Sequence, residues 1–534
     1  MRKNVLALSI AAMIGGLGFA GAASADVIVG DGAAGKNKLT IPTAKVLEVA
    51  DGGVGHMLLV PYYNAQNGNM TVLHVVNTDV KKGKAVKVRF RGAANSDDVL
   101  DFQVFMSPGD VWTAAVTKGA DGVAQIVTAD TTCTVPALKS GVAQSFVTSR
   151  LNPATDVANN SREGYVEILN MADIPEPSVA ALKGSLFEAI KHVKGVAPCS
   201  STAASYGVVE AAALGVYTAA DDAASKAGFD SPTGGLMGDW YIINVAQTTT
   251  FSGATTAVIA KDVVGPAGKS APANFVHFAQ SATAAATPDN FTADPLFRAG
   301  STDGAGAAVA AATIKAANYD LPDLSTPYVT AAAAATDPLV QAAALTGALA
   351  VKSVSNQYAN DASITAKTDW VFSMPSRRYS VAANYAAAKT TDANYRLFSD
   401  LGTKDWFTKD NTSVVGGLIC VNADGQAFWD REENTQNSGA VFSPRQLTST
   451  SFCGETSVLS FADAGNSVLA ASVARQNVGG VYENGWSVVD TTNVKAGSTG
   501  LPILGASFIK LTNPQASAGM SGTYGITWPH RFTK

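Results

Sequence analysis

Hydrophobic and polar residues alternate along much of the chain beyond residue 45. In residues 85–91 the apolar side chains fall on one face, and Lys87, Arg89 and Arg91 fall on the other. A period of two is typical of a β-strand with one buried and one solvated face. Turn signals such as Asn67-Gly68-Asn69 separate such runs at intervals of roughly ten residues, which predicts an antiparallel β-sandwich.

Strand patterns fill two stretches of the chain, residues 26–262 and 368–534. We expect one sandwich from each, so the predicted fold class is mainly β with helical insertions, as two antiparallel β-sandwich (Ig-like) domains. The predicted strands of the second stretch are residues 370–374, 414–421, 426–429, 458–461, 467–473, 485–489, 506–511 and 524–528.

Helical patterns interrupt the strands at three places. Residues 178–193 carry apolar side chains at spacings of three and four, and residues 203–227 are rich in alanine. Both lie in residues 175–233, which we interpret as a helical insertion in the first sandwich. Residues 263–367 form an Ala-rich linker or helical excursion, in which a helix over 337–358 would use Asp337 as its N-cap.

The N-terminal 25 residues have the pattern of a cleaved secretory signal peptide. Arg2 and Lys3 precede an apolar run over residues 5–19, and Ala23-Ser24-Ala25 supplies the small residues of a cleavage site. We therefore expect a secreted protein, extracellular or on the cell surface of a Gram-negative bacterium.

Four cysteines lie beyond the leader, at positions 133, 199, 420 and 453. An even number in an oxidising compartment indicates two disulfides, for which three pairings exist. We favour Cys133 with Cys199 and Cys420 with Cys453, because each pair then falls within one half of the chain.

The charge balance excludes nucleic acid as an expected partner. The formal net charge is -5, and removal of the leader would take away two further cations. Charged residues make up only 15% of the chain, against about a quarter in typical domains. Small and β-branched residues replace them, which suits a large β-rich surface protein that packs against copies of itself.

One acidic loop is the best candidate for a metal site. Asp97, Asp98 and Asp101, with Asn95 beside them, offer several oxygen ligands from one loop, as Ca²⁺ requires. The alternative is a solvated turn whose acids pair across the sheet with Lys87, Arg89 or Arg91. No cofactor other than this Ca²⁺ is predicted.

Two further groups of residues each have a binding interpretation and a structural one. Lys87, Arg89 and Arg91 could meet lipopolysaccharide phosphates, or they could be the solvated side of an ordinary strand. Several aromatic residues could stack on the sugars of surface glycans, although most sit inside strand patterns and would then be core. They are Tyr62, Tyr63, Trp112, Trp240, Tyr241, Trp370 and Trp429.

Catalytic signatures are missing from the sequence. It contains neither a GxSxG elbow nor an HExxH motif, and its five histidines are scattered. We therefore predict that the protein is not an enzyme, although a triad assembled from distant residues stays open.

Several phrases of the chain resemble a group of exported, uncharacterised proteobacterial proteins that are often labelled cell-surface protein. The resemblance implies an extracytoplasmic, surface-associated role, and it supplies no catalytic residues. The phrases are residues 60–63 with 67–69, 231–236 with 243–246, 368–376, and Cys420 followed by 429–433 and Cys453.

The expected function is therefore that of a non-enzymatic, secreted structural protein of the cell surface. It would assemble with itself, as a surface-layer or extracellular-matrix component. The first alternative is an adhesin or glycan-binding surface protein, and the second is a secreted hydrolase of unrecognised type.

Overall fold

The structure is a computed structural model. It describes residues 27–33, 36–280, 301–309, 322–329, 338–399, 406–435, 448–461, 467–479, 482–492, 500–513 and 522–534. The predicted leader and the predicted N-cap Asp337 lie outside the described residues.

Thirteen strands between residues 46 and 261 form two antiparallel sheets, which together are the first β unit. Sheet A has the strand order β1-β13-β2-β10-β4-β5-β8, and sheet B has the order β12-β11-β3-β6-β7-β9. The strands are β1 (Val46–Val49), β2 (Met57–Asn64), β3 (Asn69–Asn77), β4 (Lys82–Gly92), β5 (Asp98–Met106), β6 (Val111–Lys118), β7 (Ala124–Val127), β8 (Cys133–Val135), β9 (Gln144–Ser145), β10 (Glu163–Pro175), β11 (Leu236–Asn244), β12 (Thr249–Ala254) and β13 (Thr256–Lys261).

The remaining strands form the second β unit and two small sheets. They are β14 (Thr302–Asp303), β15 (Ala350–Val351), β16 (Ser353–Ala359), β17 (Lys367–Ser373), β18 (Val381–Ala383), β19 (Arg396–Phe398), β20 (Thr412–Val415), β21 (Leu418–Asp430), β22 (Thr448–Cys453), β23 (Thr456–Phe461), β24 (Arg475–Val478), β25 (Asn484–Asp490), β26 (Leu501–Pro502), β27 (Leu504–Asn513), β28 (Gly522–Pro529) and β29 (Arg531–Thr533).

Sheets C and D make up the second β unit. Sheet C has the order β20-β21-β25-β16-β29, with β22 also paired to β21, and sheet D has the order β24-β23-β17-β27-β28. The small sheets are β14-β19-β18 and β15-β26. Strand content of 44% against 13% helix, in sheets that are mostly antiparallel, confirms the prediction of a mainly β fold with few helices.

The described helices are short. The α-helices are α1 (Val157–Asn160), α2 (Leu186–Ile190), α3 (Pro198–Ser201), α4 (Ala203–Leu214), α5 (Ala223–Lys226) and α6 (Pro338–Leu349), and the 3₁₀-helices are Val179–Ala181, Ala362–Ile364, Arg377–Tyr379 and Ala393–Tyr395. In the described part of the chain, no helix has the length and apolar character of a membrane span.

The long helix expected over residues 178–193 is wrong. Gly184 has a φ of +75°, and the Ser185 side chain accepts a hydrogen bond from the Glu188 amide, so a new helix begins at this point. The helix expected over 203–227 ends at Leu214 for a similar reason, because the chain becomes extended at Gly215.

The predictions near residues 337–358 and 414–421 were also too simple. Helix α6 ends at Leu349, and the β-branched residues that follow it join sheets as β15 and β16. Residues 414–421 are a hairpin instead of one strand, because Gly416 and Gly417 have φ angles of +58° and +83° that favour glycine.

Sheet D contributes to two hydrophobic cores. Val371, Val458 and Phe508 join the core of the first β unit, whereas Trp370 and Phe372 face sheet C. Strand side chains alternate between the two faces, so burial of both faces places sheet D between its own partner and the first unit. The core interpretation is confirmed for five of the predicted aromatics, namely Tyr62, Tyr63, Trp112, Trp240 and Trp370.

Both favoured disulfides are present. Cys133–Cys199 ties the helical insertion to strand β8, and Cys420–Cys453 joins the neighbouring strands β21 and β22. Each bond therefore closes a loop within one β unit.

Candidate functional site

The cationic face of β4 lies in the interior of the protein. Lys87, Arg89 and Arg91 are each at most 3% exposed, so the predicted solvated face is wrong. The alternation in the sequence correctly separated polar from apolar positions, but the polar side meets other protein groups instead of water. These three cations are therefore not available to lipopolysaccharide.

Acids of the next strand pair with two of these cations. Arg89 Nη1 lies 2.5 Å from Asp98 Oδ2, and Lys87 Nζ contacts Asp101 Oδ1. Burial alone would raise the pKa of Asp101, but the charges of Lys87 and Arg89 outweigh it and lower the pKa to about 2. The structure thus confirms the cross-sheet ion pairing, in a buried setting.

Arg91 belongs to a larger group of charges at the junction of the two β units. We name it the junction cluster, and each of its members is at most 2% exposed. Three arginines and three carboxylates balance in formal charge, which is the condition under which charges are tolerated away from water. The members are Arg91, Glu167, Asp323, Arg377, Arg378 and Glu455.

Arg378 is the centre of the junction cluster. Its Nη2 atom lies 3.2 Å from Glu167 Oε1 on sheet A and 3.0 Å from Asp323 Oδ2. The guanidinium also lies over the ring of Tyr379, with Cζ 4.1 Å from the ring centroid. Burial alone would lower the pKa of Arg378, but Glu167, Tyr379 and Asp323 raise it, so the group stays charged.

A second ion pair lies beside the first. Arg377 Nη2 is 2.6 Å from Glu455 Oε2, and both side chains are buried. Burial raises the pKa of Glu455, and the two arginines oppose that shift. Both amides of Glu455 and Thr456 donate to the carbonyl of Ala93, which belongs to the first unit. The turn before β23 is therefore anchored through its backbone as well as its charge.

Asp323 comes from the stretch that was predicted as a linker. All eight residues 322–329 are buried. Tyr328 Oη donates to the carbonyl of Asn170, and the amide of Asn274 donates to the carbonyl of Tyr328. This segment therefore crosses the interior and delivers a carboxylate to the junction.

The predicted calcium loop docks on the second unit. Asn95 bonds to the carbonyl of Gly417 and the amide of Ile419, and Asp97 Oδ2 accepts from Tyr385 Oη at 2.8 Å. Asp98 and Asp101 face the cations of β4. Across the described residues, no group of three or more His, Cys, Asp or Glu side chains is arranged to hold a metal ion. Calcium at Asp97, Asp98 and Asp101 stays a prediction.

Glu163 forms a further link between the units. Its Oε1 atom accepts from the amide of Ser472 at 2.8 Å and from Gln66 Nε2 at 2.8 Å, while Oε2 accepts from Tyr62 Oη. Burial raises the pKa of Glu163, and these donors oppose the shift. The carboxylate is fully buried, so its hydrogen bonds are required to offset the loss of hydration.

The same link explains why residues 467–473 do not form the predicted strand. Asp369 Oδ2 accepts from the amide of Leu469, and Asn64 and Asn69 both donate to the carbonyl of Leu469. Glu163 takes the amide of Ser472. Buried side chains thus occupy backbone groups that a sheet ladder would have used.

Ser107, His192 and Asp110 lie close together, and this is the group to compare with a catalytic triad. Ser107 Oγ lies 3.0 Å from His192 Nδ1, and Asp110 Oδ2 lies 3.7 Å from the same nitrogen. A nucleophilic triad needs the acid and the nucleophile on opposite ring nitrogens. The other nitrogen faces Thr131 Oγ1 at 3.5 Å. This arrangement stabilises the turn at residues 107–110 and does not have the geometry of a hydrolase relay.

A groove of about 870 Å³ opens in the helical insertion. Its walls are mostly alanine, glycine and apolar side chains such as Phe187 and Phe229, and its rim carries Lys183 and Lys226. Lys226 is already paired with Asp222 at 2.6 Å. This lining favours an apolar occupant over a polar substrate.

Large exposed aromatic side chains are confined to the C-terminal part of the described chain. Trp486, Tyr524, Trp528 and Phe532 are 42%, 64%, 40% and 48% exposed. Exposed aromatic residues are more informative than exposed aliphatic ones, because they dominate interface energetics. Trp429, a predicted sugar-stacking residue, is half-buried against Trp486, and Tyr241 is half-buried with its hydroxyl 2.8 Å from His74 Nε2.

Comparisons of the chain with protein-family models, curated proteins and solved structures find no match. The resemblance to exported cell-surface proteins therefore stays an expectation.

Most members of the junction cluster escaped the sequence reasoning, which noticed Arg91 alone and assigned it to water. One signal was available for Glu167, because it stands in the long strand-like run of residues 163–175 among buried apolar positions. In a chain with only 15% charged residues, an acid inside such a run indicates a buried partner.

We expect Arg378→Met to destabilise the protein by about 3–5 kcal/mol, because it leaves Glu167 and Asp323 buried without their shared cation. The double variant Arg378→Met, Glu167→Gln should recover part of that loss. The measurement is urea unfolding monitored by tryptophan fluorescence. Lys139→Met, at an exposed site, is the matched control, and a loss of under about 1 kcal/mol for Arg378→Met would contradict the role of the cluster.

We expect Glu163→Gln to change how stability depends on pH. The folded state raises the pKa of Glu163 above its ordinary value of 4.5, so the folded protein holds this proton where the unfolded chain has lost it. The stability advantage of the native carboxyl is full below pH 4.5 and falls as pH rises to the folded pKa, by up to about 1.4 kcal/mol per pH unit.

The quantity to measure is the difference in unfolding free energy between the wild type and Glu163→Gln from about pH 4 to 8. Glu432→Gln, on an exposed turn, is the control. A difference that is constant with pH, or that grows as pH rises, would show that the carboxyl is not held protonated by burial.

Proposed function

We propose that this chain is a non-enzymatic, exported structural protein of the cell surface that assembles with copies of itself. The observation that carries the proposal is the concentration of exposed aromatic side chains on the last two strands of the second β unit. Two disulfides support an oxidising compartment, in keeping with the leader-like pattern of residues 1–25.

The edge is formed by the last two strands. Strand β29 ends sheet C within the described chain, whereas β28, the last strand of sheet D, also packs against β12 of the first β unit, where the Ser252 amide donates to Thr527 Oγ1. Tyr524 and Trp528 lie on one face of β28, four residues apart, and Phe532 lies on β29. An edge strand offers unpaired backbone groups to another chain, and the flanking rings add apolar area to that contact.

Cations make this edge selective. Arg531 Cζ lies 5.7 Å from the centroid of the Trp528 ring, and Lys534 Nζ lies 5.6 Å from that of Phe532. Charged side chains on an edge discourage indiscriminate pairing, because an incoming strand must accommodate them. The arrangement that we infer is antiparallel, two-fold pairing of β29 with β29, since two-fold symmetry is the commonest in soluble oligomers.

The contacts between the two β units suit a protein that is part of an ordered assembly. The junction cluster, the Glu163 link and the Asn95 contacts join the two units at three places, so the edge is presented by one body. A fixed geometry between contact surfaces is what an ordered array requires.

We expect the chain without its leader to form dimers or larger ordered particles, and Trp528→Ser with Phe532→Ser to convert them to monomers. The measurement is size-exclusion chromatography with light scattering over a concentration series, followed by negative-stain electron microscopy, in Ca²⁺ and then in chelator. The matched control is Val80→Ser with Val179→Ser, two exposed apolar residues far from the edge in sequence.

A monomer at every concentration, with and without Ca²⁺, would contradict self-assembly. Assembly that survives the Trp528 and Phe532 changes would show that another surface mediates it. Dissolution by chelator alone would add support to the Ca²⁺ prediction for Asp97, Asp98 and Asp101.

A further inference from the structure

The outer face of sheet C carries a stacked tryptophan pair. Trp429 on β21 and Trp486 on β25 are register partners. Their ring centroids are 4.0 Å apart and their planes differ by only 7°. Trp486 is 42% exposed, although a large apolar ring of this kind is normally covered.

The stacking direction shows where the second face of Trp486 points. Neighbouring strands lie about 4.8 Å apart, so two parallel rings on paired strands face each other along the line from strand to strand. Trp429 covers one face of Trp486 from β21. The opposite face of Trp486 therefore looks toward β16, on the other side of β25.

Polar side chains lie on that side of the Trp486 ring. Gln357 on β16 is the register partner of Trp486, and its side chain is exposed. Ser355 lies on the same face two residues earlier, and Arg531 of β29 pairs with it in register. Asn484, two residues before Trp486, donates to Asp361 Oδ2 at 3.1 Å. The Gln357 amide and the Ser355 hydroxyl thus lie on the side of β25 toward which the exposed ring face looks.

We propose that this face binds a pyranose ring of a polysaccharide, stacked on Trp486 and hydrogen-bonded by Gln357. A pyranose has an apolar face of C–H groups and a rim of hydroxyls. The apolar face can stack on the ring of Trp486, and the hydroxyls can form hydrogen bonds with the side-chain amide of Gln357. The amide of Gln357 has both donors and an acceptor, and hydroxyls need both. The stacked pair holds Trp486 in place before binding, which lowers the entropy cost of capture.

Other flat ligands match the site less well. A nucleic-acid base also stacks on tryptophan, but such sites follow the backbone with a groove of positive charge. Trp486 is flanked instead by Gln357 and by the Asn484–Asp361 hydrogen bond, in a chain of net charge -5. This inference does not rest on self-assembly, because Trp486 and Gln357 are not among the residues proposed to carry the contact at Trp528 and Phe532.

The test is affinity electrophoresis of the chain without its leader, in native gels containing dextran, mannan, galactan or hydroxyethylcellulose. We expect retardation by at least one of these polymers and a loss of at least about tenfold in affinity for Trp486→Ala. Val415→Ser, on edge strand β20 of the same sheet, is the control. Circular dichroism reports on the site directly, since the stacked indoles give a coupled signal that a bound sugar should perturb.

Gln357→Ala is the second variant, because it leaves both tryptophans in place. It should weaken retardation while it keeps the coupled indole signal. The same gels are run with the Trp528→Ser, Phe532→Ser protein, so that a failure of assembly and a failure of sugar binding are seen separately. Absence of retardation by all four polymers, or retardation unchanged in both Trp486→Ala and Gln357→Ala, would overturn the proposal.

Discussion

The folded states of the two β units depend on each other at the junction cluster, and Arg378 lies at its centre. Its guanidinium is fully buried and contacts Glu167 of sheet A together with Asp323 of the crossing segment 322–329. Removing a charge from water costs several kcal/mol unless a partner is already positioned. Neither unit can therefore complete the cluster alone, and Glu167 would be exposed to water if the second unit were absent. The constraint is mutual, which makes the junction a condition for the folded state of both units.

Several other features of the structure follow from this junction. The backbone amide of Glu455 donates to the carbonyl of Ala93, and the side chain of Asn95 donates to the carbonyl of Gly417, so both residues form hydrogen bonds across the units. The carboxylate of Glu163 accepts a further hydrogen bond, from the backbone amide of Ser472. A minority of the charged residues is thus buried at the contact between the two units, and the aromatic edge and the tryptophan face lie on a body in which the two units are joined.

The periodicity of the sequence predicted the β elements well where one face was apolar, as in β4 and β5, and cysteine parity predicted both disulfides. It failed where long-range partners decided the outcome. The alternation at Lys87 and Arg89 reports only that one face is polar, and protein carboxylates or water satisfy that pattern equally. The pattern of residues 467–473 predicts a strand, but side chains distant in sequence form hydrogen bonds with their backbone amides and carbonyls. Of the stacked pair, Trp429 was noticed in the sequence, whereas Trp486 needed the strand register to become visible.

The most direct test of the mutual dependence of the two units is differential scanning calorimetry of the chain without its leader. One transition, with a calorimetric enthalpy equal to the van't Hoff enthalpy, is expected if the junction couples both units. Arg378→Met should lower the temperature of that transition as a whole, or divide it into two. Two separate transitions in the wild-type protein, one for each β unit, would contradict the central claim.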